Sequence, residues 1–101
     1  MSAHMRALVR TNQFKRDYKR AVKRGRDVGK LVDVIARLAR GGKLEQRYRN
    51  HSLGGEYSDC RGCHVEPDWL LIYRIKEAEL LLIRTGSHAD QPDGSLAGLF
   101  E

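Results

Sequence analysis

Apolar residues recur at Phe14, Tyr18, Ala21 and Val22, with Lys15, Arg16, Lys19, Arg20, Lys23 and Arg24 between them. Steps of three and four put the apolar set on one face of a helix and the cations on the other. Thr11 or Asn12 offers the N-cap, and Gly25 suits the C-terminal end. A second run of Val28, Leu31, Val32, Ile35, Leu38 and Ala39 keeps the helical period; Asp27 can cap it and Gly41-Gly42 ends it. Together they predict a helical hairpin whose apolar side needs another layer. Ahead of it, Arg6 to Arg10 reads as a short strand. After it the period changes. Trp69 to Ile75 is apolar on both faces, which predicts a central strand. Leu80 to Thr85 predicts another, linked to it by the polar Lys76-Glu77-Ala78-Glu79. Tyr57 to Val65 is predicted as a strand despite Gly62. Pro67 cannot donate to a ladder, so Glu66-Pro67-Asp68 is the preceding turn. Strand, helix, helix and three consecutive strands predict a two-layer α+β fold, with an N-terminal strand and helical hairpin packed on a small antiparallel sheet.

Length and composition narrow this picture. The 101 residues suit one domain, and 41% hydrophobic content is enough for a modest core. Met1-Ser2-Ala3-His4 reads as an expression remnant before a natural start at Met5. The expected domain is then 5–101, with 90–101, which holds Pro92, Asp93, Gly94 and Ser95, as a loop or tail. No apolar run approaches the roughly 18–20 residues of a membrane span, and no secretory pattern opens the chain. The expectation is a cytoplasmic protein without a membrane partner. The net charge of +6 suggests an anionic one. That charge is split. Residues 6–50 hold 15 Lys and Arg against 4 Asp and Glu, a net of +11, whereas residues 51–101 hold 4 against 9, a net of −5. The first half is suited to anion binding, with Lys15, Lys19 and Lys23 on the outer face of the first helix.

Both cysteines fall in Cys60-Arg61-Gly62-Cys63-His64, which alone is the attachment pattern of c-type haem. The context opposes it. No export signal is present, and Met1 and Met5, the methionines available as axial ligands, lie at the extreme N-terminus. In a strand, residues three apart face opposite sides. Zinc would need a second pair of ligands, and a redox pair normally opens a helix in a βαβ unit. Two reduced, ordinary cysteines are expected, with no metal and no cofactor.

Three histidines and one aspartate remain. His51 lies in Asn50-His51-Ser52-Leu53-Gly54-Gly55, His64 and Asp68 flank the Pro67 turn, and His88 follows the last strand in Arg84-Thr85-Gly86-Ser87-His88. All sit at strand ends or in loops, where site residues gather. A lone histidine is usually structural; three near strand ends with an aspartate are candidates for acid–base chemistry, although spacing alone does not bring them together.

Three blocks, in this order and spacing, carry a family resemblance: Asn50-His51-x-Leu53-x-Gly55, then Arg61-x-x-His64-Val65-Glu66-Pro67-Asp68-Trp69-Leu70-Leu71-Ile72-Tyr73, then Arg84-Thr85-Gly86-Ser87-His88-Ala89. Over residues 6–90 the chain resembles the RelE superfamily of bacterial toxins, in its YafQ branch. The resemblance implies a compact antiparallel sheet with a helical pair. It implies a toxin of a type II toxin–antitoxin pair, an endoribonuclease acting on mRNA at the ribosome and neutralised by a cognate antitoxin. The site it implies maps onto His51, His64, Asp68 and His88, with Trp69 beside them. In metal-independent RNA cleavage, a base deprotonates the 2′-hydroxyl, an acid protonates the leaving 5′-oxygen, and cations hold the phosphate. Here His88 is the expected acid and His51 the base. His64 and Arg84 are expected to hold the phosphate, with a plain ion pair as the alternative for Arg84, and Asp68 to orient a histidine or stabilise its imidazolium. Trp69 either stacks on a base or is a core residue; Glu66 and Arg61 are expected to be structural. Members of the family end soon after the last histidine with Leu-Phe, the phenylalanine belonging to the site. Here Gln91 to Gly98 intervenes before Leu99-Phe100, either as a loop that returns Phe100 to the site or as a divergent tail. The competing class is a non-catalytic RNA- or ribosome-binding module that blocks translation by occupancy.

Overall fold

The computed structural model describes residues 5–87. The expected expression remnant, the expected tail, His88 and Phe100 lie outside the described residues. The elements are β1 (Ala7–Arg10), α1 (Asn12–Lys23), α2 (Val28–Ala39), β2 (His51–Ser52), β3 (Arg61–Glu66), β4 (Trp69–Lys76) and β5 (Glu79–Gly86), with 3-10 turns at Gln46–Tyr48 and Gly55–Tyr57. The strands form one sheet in the order β1-β5-β4-β3-β2. No helix among the described residues is long and apolar enough to cross a membrane.

The α+β layering is as the residue pattern predicts, with three differences. First, β1 pairs with β5 in parallel, so the sheet is mixed, not purely antiparallel. The helical pair and three antiparallel strands intervene before β5 offers β1 an open edge. Second, β2 is a two-residue strand that no periodicity could reveal; it exists only through its pairing with Gly62 and Arg61. Third, β3 starts at Arg61, not Tyr57. Gly55 takes a left-handed φ of 62°, and the chain folds into a closed loop in which Leu53 N–H donates to Cys60 O and Cys60 N–H to Tyr57 O. Gly62 answers its oddity in a strand: a Cβ there would lie 3.0 Å from a Leu53 methyl. The missing side chain lets the loop lie against the sheet.

The helices cover one face of the sheet. Phe14, Ala21, Leu31, Val34, Ile35 and Leu38 pack against Cys63, Val65, Trp69, Leu71, Tyr73, Leu80 and Leu82. On the other face Leu53 and Cys60 from the loop close over Leu70 and Ile72. The two cysteines are free, buried and on opposite faces, because Cys60 belongs to the second cluster and Cys63 to the first.

The inward stripe of α1 is not the expected one. Val22 is half exposed, and Asp17 is buried beside Phe14 and Ala21. A buried carboxylate needs partners for both oxygens. Asp17 has them: Oδ2 accepts from Arg84 Nε and from the Thr85 backbone N–H, both at 3.1 Å. Oδ1 accepts from Arg84 Nη2 at 3.2 Å and Gln13 Nε2 at 2.9 Å. Nearby, Thr11 is the N-cap: its hydroxyl accepts from Phe14 N–H and donates to Ile83 O, and its own N–H donates to Leu82 O. These contacts fall where β1 no longer accompanies β5, since their pairing ends at Leu82. Helix α1 thus completes the strand edge by side chains.

Two measurements follow from this packing. Asp17→Asn leaves the Arg84 charge buried without its counter-charge and should cost about 3–5 kcal/mol in urea unfolding; a loss near zero would show that Arg84 finds other solvation. Burial pushes the Cys63 thiol up to about 12 from an ordinary 9.0. The unfolded chain loses that proton first, so stability falls as pH rises from about 9 towards 12. Cys63→Ala should remove up to about 1.4 kcal/mol per pH unit of that slope, and unchanged slopes across the range would contradict the assignment.

Candidate active site

The β3–β4 turn, Pro67-Asp68, is two residues long and joins Glu66 to Trp69. One extra residue, Val65, bulges out of register between His64 and Glu66. Bulges of this kind re-aim the side chains beside them. At this end of the sheet lies a cleft of about 700 Å³ whose lining includes Lys30, Arg47, Arg49, His64, Glu66 and Asp68.

His51 reaches this region because β2 pairs His51 with Gly62, two residues before His64 and so on the same face. The two imidazoles stack with centroids 6.2 Å apart and planes at 26°. Each turns Nδ1 to a backbone carbonyl: His51 to Arg49 O at 2.6 Å and His64 to Pro67 O at 3.1 Å. A carbonyl only accepts, so Nδ1 carries the proton in both rings and Nε2 is the nitrogen that exchanges one. Arg49 aims its carbonyl by adopting a left-handed conformation, φ 50° and ψ 45°, which a side chain enters at a cost. Asn50 locks the segment in place. Its Oδ1 accepts from Tyr73 OH at 2.7 Å and from Arg61 Nε at 3.3 Å, and Arg61 Nη1 donates to Ser52 Oγ at 3.0 Å. Arg61 therefore clamps β2 on both sides of His51.

Asp68 is close to His64 in the chain and lines the same cleft, but its side chain is 72% exposed, with Oδ1 3.9 Å from Arg26 Nη1. Arg26 is the residue that the sequence pattern missed. From the link between the helices, its N–H donates to Ala21 O and its guanidinium lies 5.2 Å from the Trp69 ring centre. Its Nη2 donates to Ser87 Oγ at 3.0 Å, and Nη1 also faces Glu66 at 3.9 Å. One cation thus joins the helical pair to the turn and to the end of β5. The only signal in the sequence is a charged residue between Gly25 and Asp27 in a link too short to keep it away from the sheet. Glu66 pairs with Lys30 of α2 at 2.8 Å.

Two expected site residues are placed elsewhere. Trp69 is fully buried and donates Nε1–H to Thr85 Oγ1 at 2.9 Å, so its ring is core and has no face for a base. Arg84 is held by buried Asp17. Burial opposes its charge, but the hydrogen bond to Asp17 and its charge, with a hydrogen bond donated to Tyr57, raise its pKa above the ordinary value. That pairing is the opposite of a cation waiting for phosphate. Lys15 and Lys19 line a different cleft, with Leu8, Phe14, Tyr18 and Val32, that shares no residue with the one at His64. Lys23 is likewise exposed on α1. Among the described residues no His, Cys, Asp and Glu side chains are grouped to hold a metal ion.

With this geometry in hand, comparison with known proteins gives a consistent outcome. Residues 6–91 match the family described as bacterial toxin of type II toxin–antitoxin system, YafQ. The chain is 39% identical over 80 residues to the mRNA interferase toxin YafQ of Escherichia coli K12, covering 78% of this chain and 87% of that one. The fold matches E. coli YafQ in its crystallised complex with DinJ at a TM-score of 0.78 and 37% identity, covering 85% of this chain and 96% of the other. It matches a copper-bound mutant toxin from Helicobacter pylori at a TM-score of 0.80 and 34% identity, covering 85% and 98%.

The clamp around His51 can be tested apart from any activity. Asn50→Ala strips the hydroxyl of buried Tyr73 and Arg61 of a shared acceptor. It should cost about 1–3 kcal/mol of stability and shift the His51 ring resonances in NMR spectra. Unchanged His51 resonances would separate Asn50 from the positioning of that ring.

Proposed function

The chain belongs to the YafQ family of type II toxins, and from that premise we propose that it is a cytoplasmic endoribonuclease that cuts mRNA at the ribosome and is silenced by a cognate antitoxin. The observation that carries the reading is the stacked pair His51 and His64, each ring oriented by a contact from Nδ1 to a backbone carbonyl. Metal-free RNA cleavage asks for groups of this kind. The 2′-hydroxyl gives its proton to His51 Nε2, and its oxygen attacks the adjacent phosphorus. The bond to the 5′-oxygen breaks as that oxygen takes a proton from His88. The products are a 2′,3′-cyclic phosphate and a 5′-hydroxyl. His64 holds the phosphate from the wall of the cleft, and Asp68 at its rim orients a histidine. Arg84 enters the scheme as a positioning residue: by pairing with Asp17 it fixes the end of β5 from which His88 follows.

Two of the relatives support this reading: the mRNA interferase toxin YafQ of E. coli, and the toxin–antitoxin complex of E. coli YafQ with DinJ. The exposed cations of α1 suit an antitoxin that is acidic where it covers them.

The reading is tested by mapping mRNA 5′ ends in a translating extract with the parent chain and with His51→Ala, His64→Ala and His88→Ala. Discrete cuts that carry a 5′-hydroxyl are expected with the parent. Each variant should lose about 10²–10⁴-fold in cleavage while melting like the parent. Blocked translation with intact message, persisting in the three variants, would instead identify a module that acts by occupancy.

A further inference from the structure

We propose that a second cleft, beside the one at His64, is a subsite for a backbone phosphate of the RNA strand next to the scissile one. The proposal rests on the endoribonuclease reading and adds to it a second place, beyond His64, where the substrate's charge is held. The cleft at His64 is electrically balanced. Lys30, Arg47 and Arg49 line it, and so do Asp33, Glu66 and Asp68. Such a wall attracts a polyanion weakly. The neighbouring cleft, about 430 Å³, differs in kind: Arg6, Lys43 and Arg61 line it, and no carboxylate does.

Its three cations keep their charge. Among the described residues none of them forms an ion pair with a carboxylate, whereas Arg26, Lys30, Arg47 and Arg84 all do. Arg61 spends two of its donors on neutral oxygens, Asn50 Oδ1 and Ser52 Oγ. Arg6 donates Nη1 to Leu38 O at 2.7 Å and its N–H to Ala39 O. That matters because the C-terminal end of α2 would otherwise turn its negative pole towards an anion; Arg6 covers those carbonyls and leaves its remaining charge in the cleft. Gly41 and Gly42 are among its lining residues and add no side chain there. Lys43 is exposed at the mouth.

The chain order supplies the link to the chemistry. Arg49 lines the first cleft, Asn50 lines the second, and His51 follows. The residues just before His51 thus line both clefts, so a strand bound at His51 has the second cleft close at hand. The bulk of the grip then comes from the α2 terminus and β3, and not from Lys15, Lys19 and Lys23, which line or flank the other side of α1.

The experiment uses the full chain and a 12-nucleotide 2′-O-methyl RNA, which lacks the attacking hydroxyl and cannot be cut. Affinity is read by fluorescence anisotropy over a range of salt. Lys43→Glu should weaken binding by about tenfold at low salt and flatten the slope of log K against log salt by about 0.7, the value of one single-strand phosphate contact. Lys15→Ala should change the slope far less, and an unchanged melting curve for Lys43→Glu shows that the fold is intact. If the parent binds and Lys43→Glu binds equally with the same slope, the cleft is not a phosphate subsite, while the endoribonuclease reading stands. If poly-glutamate of matching charge displaces the RNA from the parent but not from Lys43→Glu, the cleft takes acidic protein and the proposal is overturned. If the parent binds no RNA and cuts no message, both readings fail together.

Discussion

The fold depends on one carboxylate. Strand β5 has β1 beside it only as far as Leu82, and its remaining backbone would present an open edge within a sheet that helices must cover. Asp17 and Thr11 close that edge from α1, the first by accepting from Thr85 N–H and the Arg84 guanidinium, the second through Ile83 O and Leu82 O. A buried ion pair is a poor source of net stability, because desolvation cancels most of the attraction. Its effect here is directional. It fixes α1 at one height along β5, and with α1 the short link that carries Arg26. Arg26 then reaches Trp69 and Ser87, and the strand end is tied to the turn that bears Asp68.

A division of labour among the arginines follows. Three of them serve three purposes. Arg84 is neutralised inside the protein by Asp17, Arg26 joins strand ends beneath partial cover, and Arg61 clamps β2 by neutral acceptors while keeping its charge for an outside ligand. What separates them is the polarity of the partner each meets. A guanidinium against a carboxylate is spent as a charge; one against an amide or hydroxyl oxygen is oriented but still cationic. That distinction moves the expected grip on RNA away from Arg84 and from the lysines of α1 and towards the cleft of Arg6, Lys43 and Arg61.

The residues whose position could be read in advance are those governed by local rules. Thr11 and Asp27 cap the helices, Gly25 and Gly41 take the left-handed conformations that follow them, and Pro67 makes the turn. Strand β4 is central because an unbroken apolar run has no polar face to offer water. The cysteine pair separates as expected, but because Cys60 sits in the loop that covers one face while Cys63 points from β3 to the other. Other features were hidden for an equally physical reason. Asp17 sits in an apolar stripe that a helical period alone assigns to Val22, and its burial depends on partners far along the chain, Arg84 and Thr85. Trp69 borders the site in sequence but is drawn into the core once Thr85 accepts its indole N–H.

By itself the sequence determined the helices, the three long strands, the turn at Pro67 and a set of histidines suited to proton transfer, because each depends on neighbours within a few positions. Only the tertiary structure decided that β1 lies parallel to β5, that His51 stacks on His64, and that the cations divide between internal pairs and an open cleft. Those outcomes depend on which distant backbone edge or carboxylate reaches a group first. Burial settles that competition for the whole chain at once.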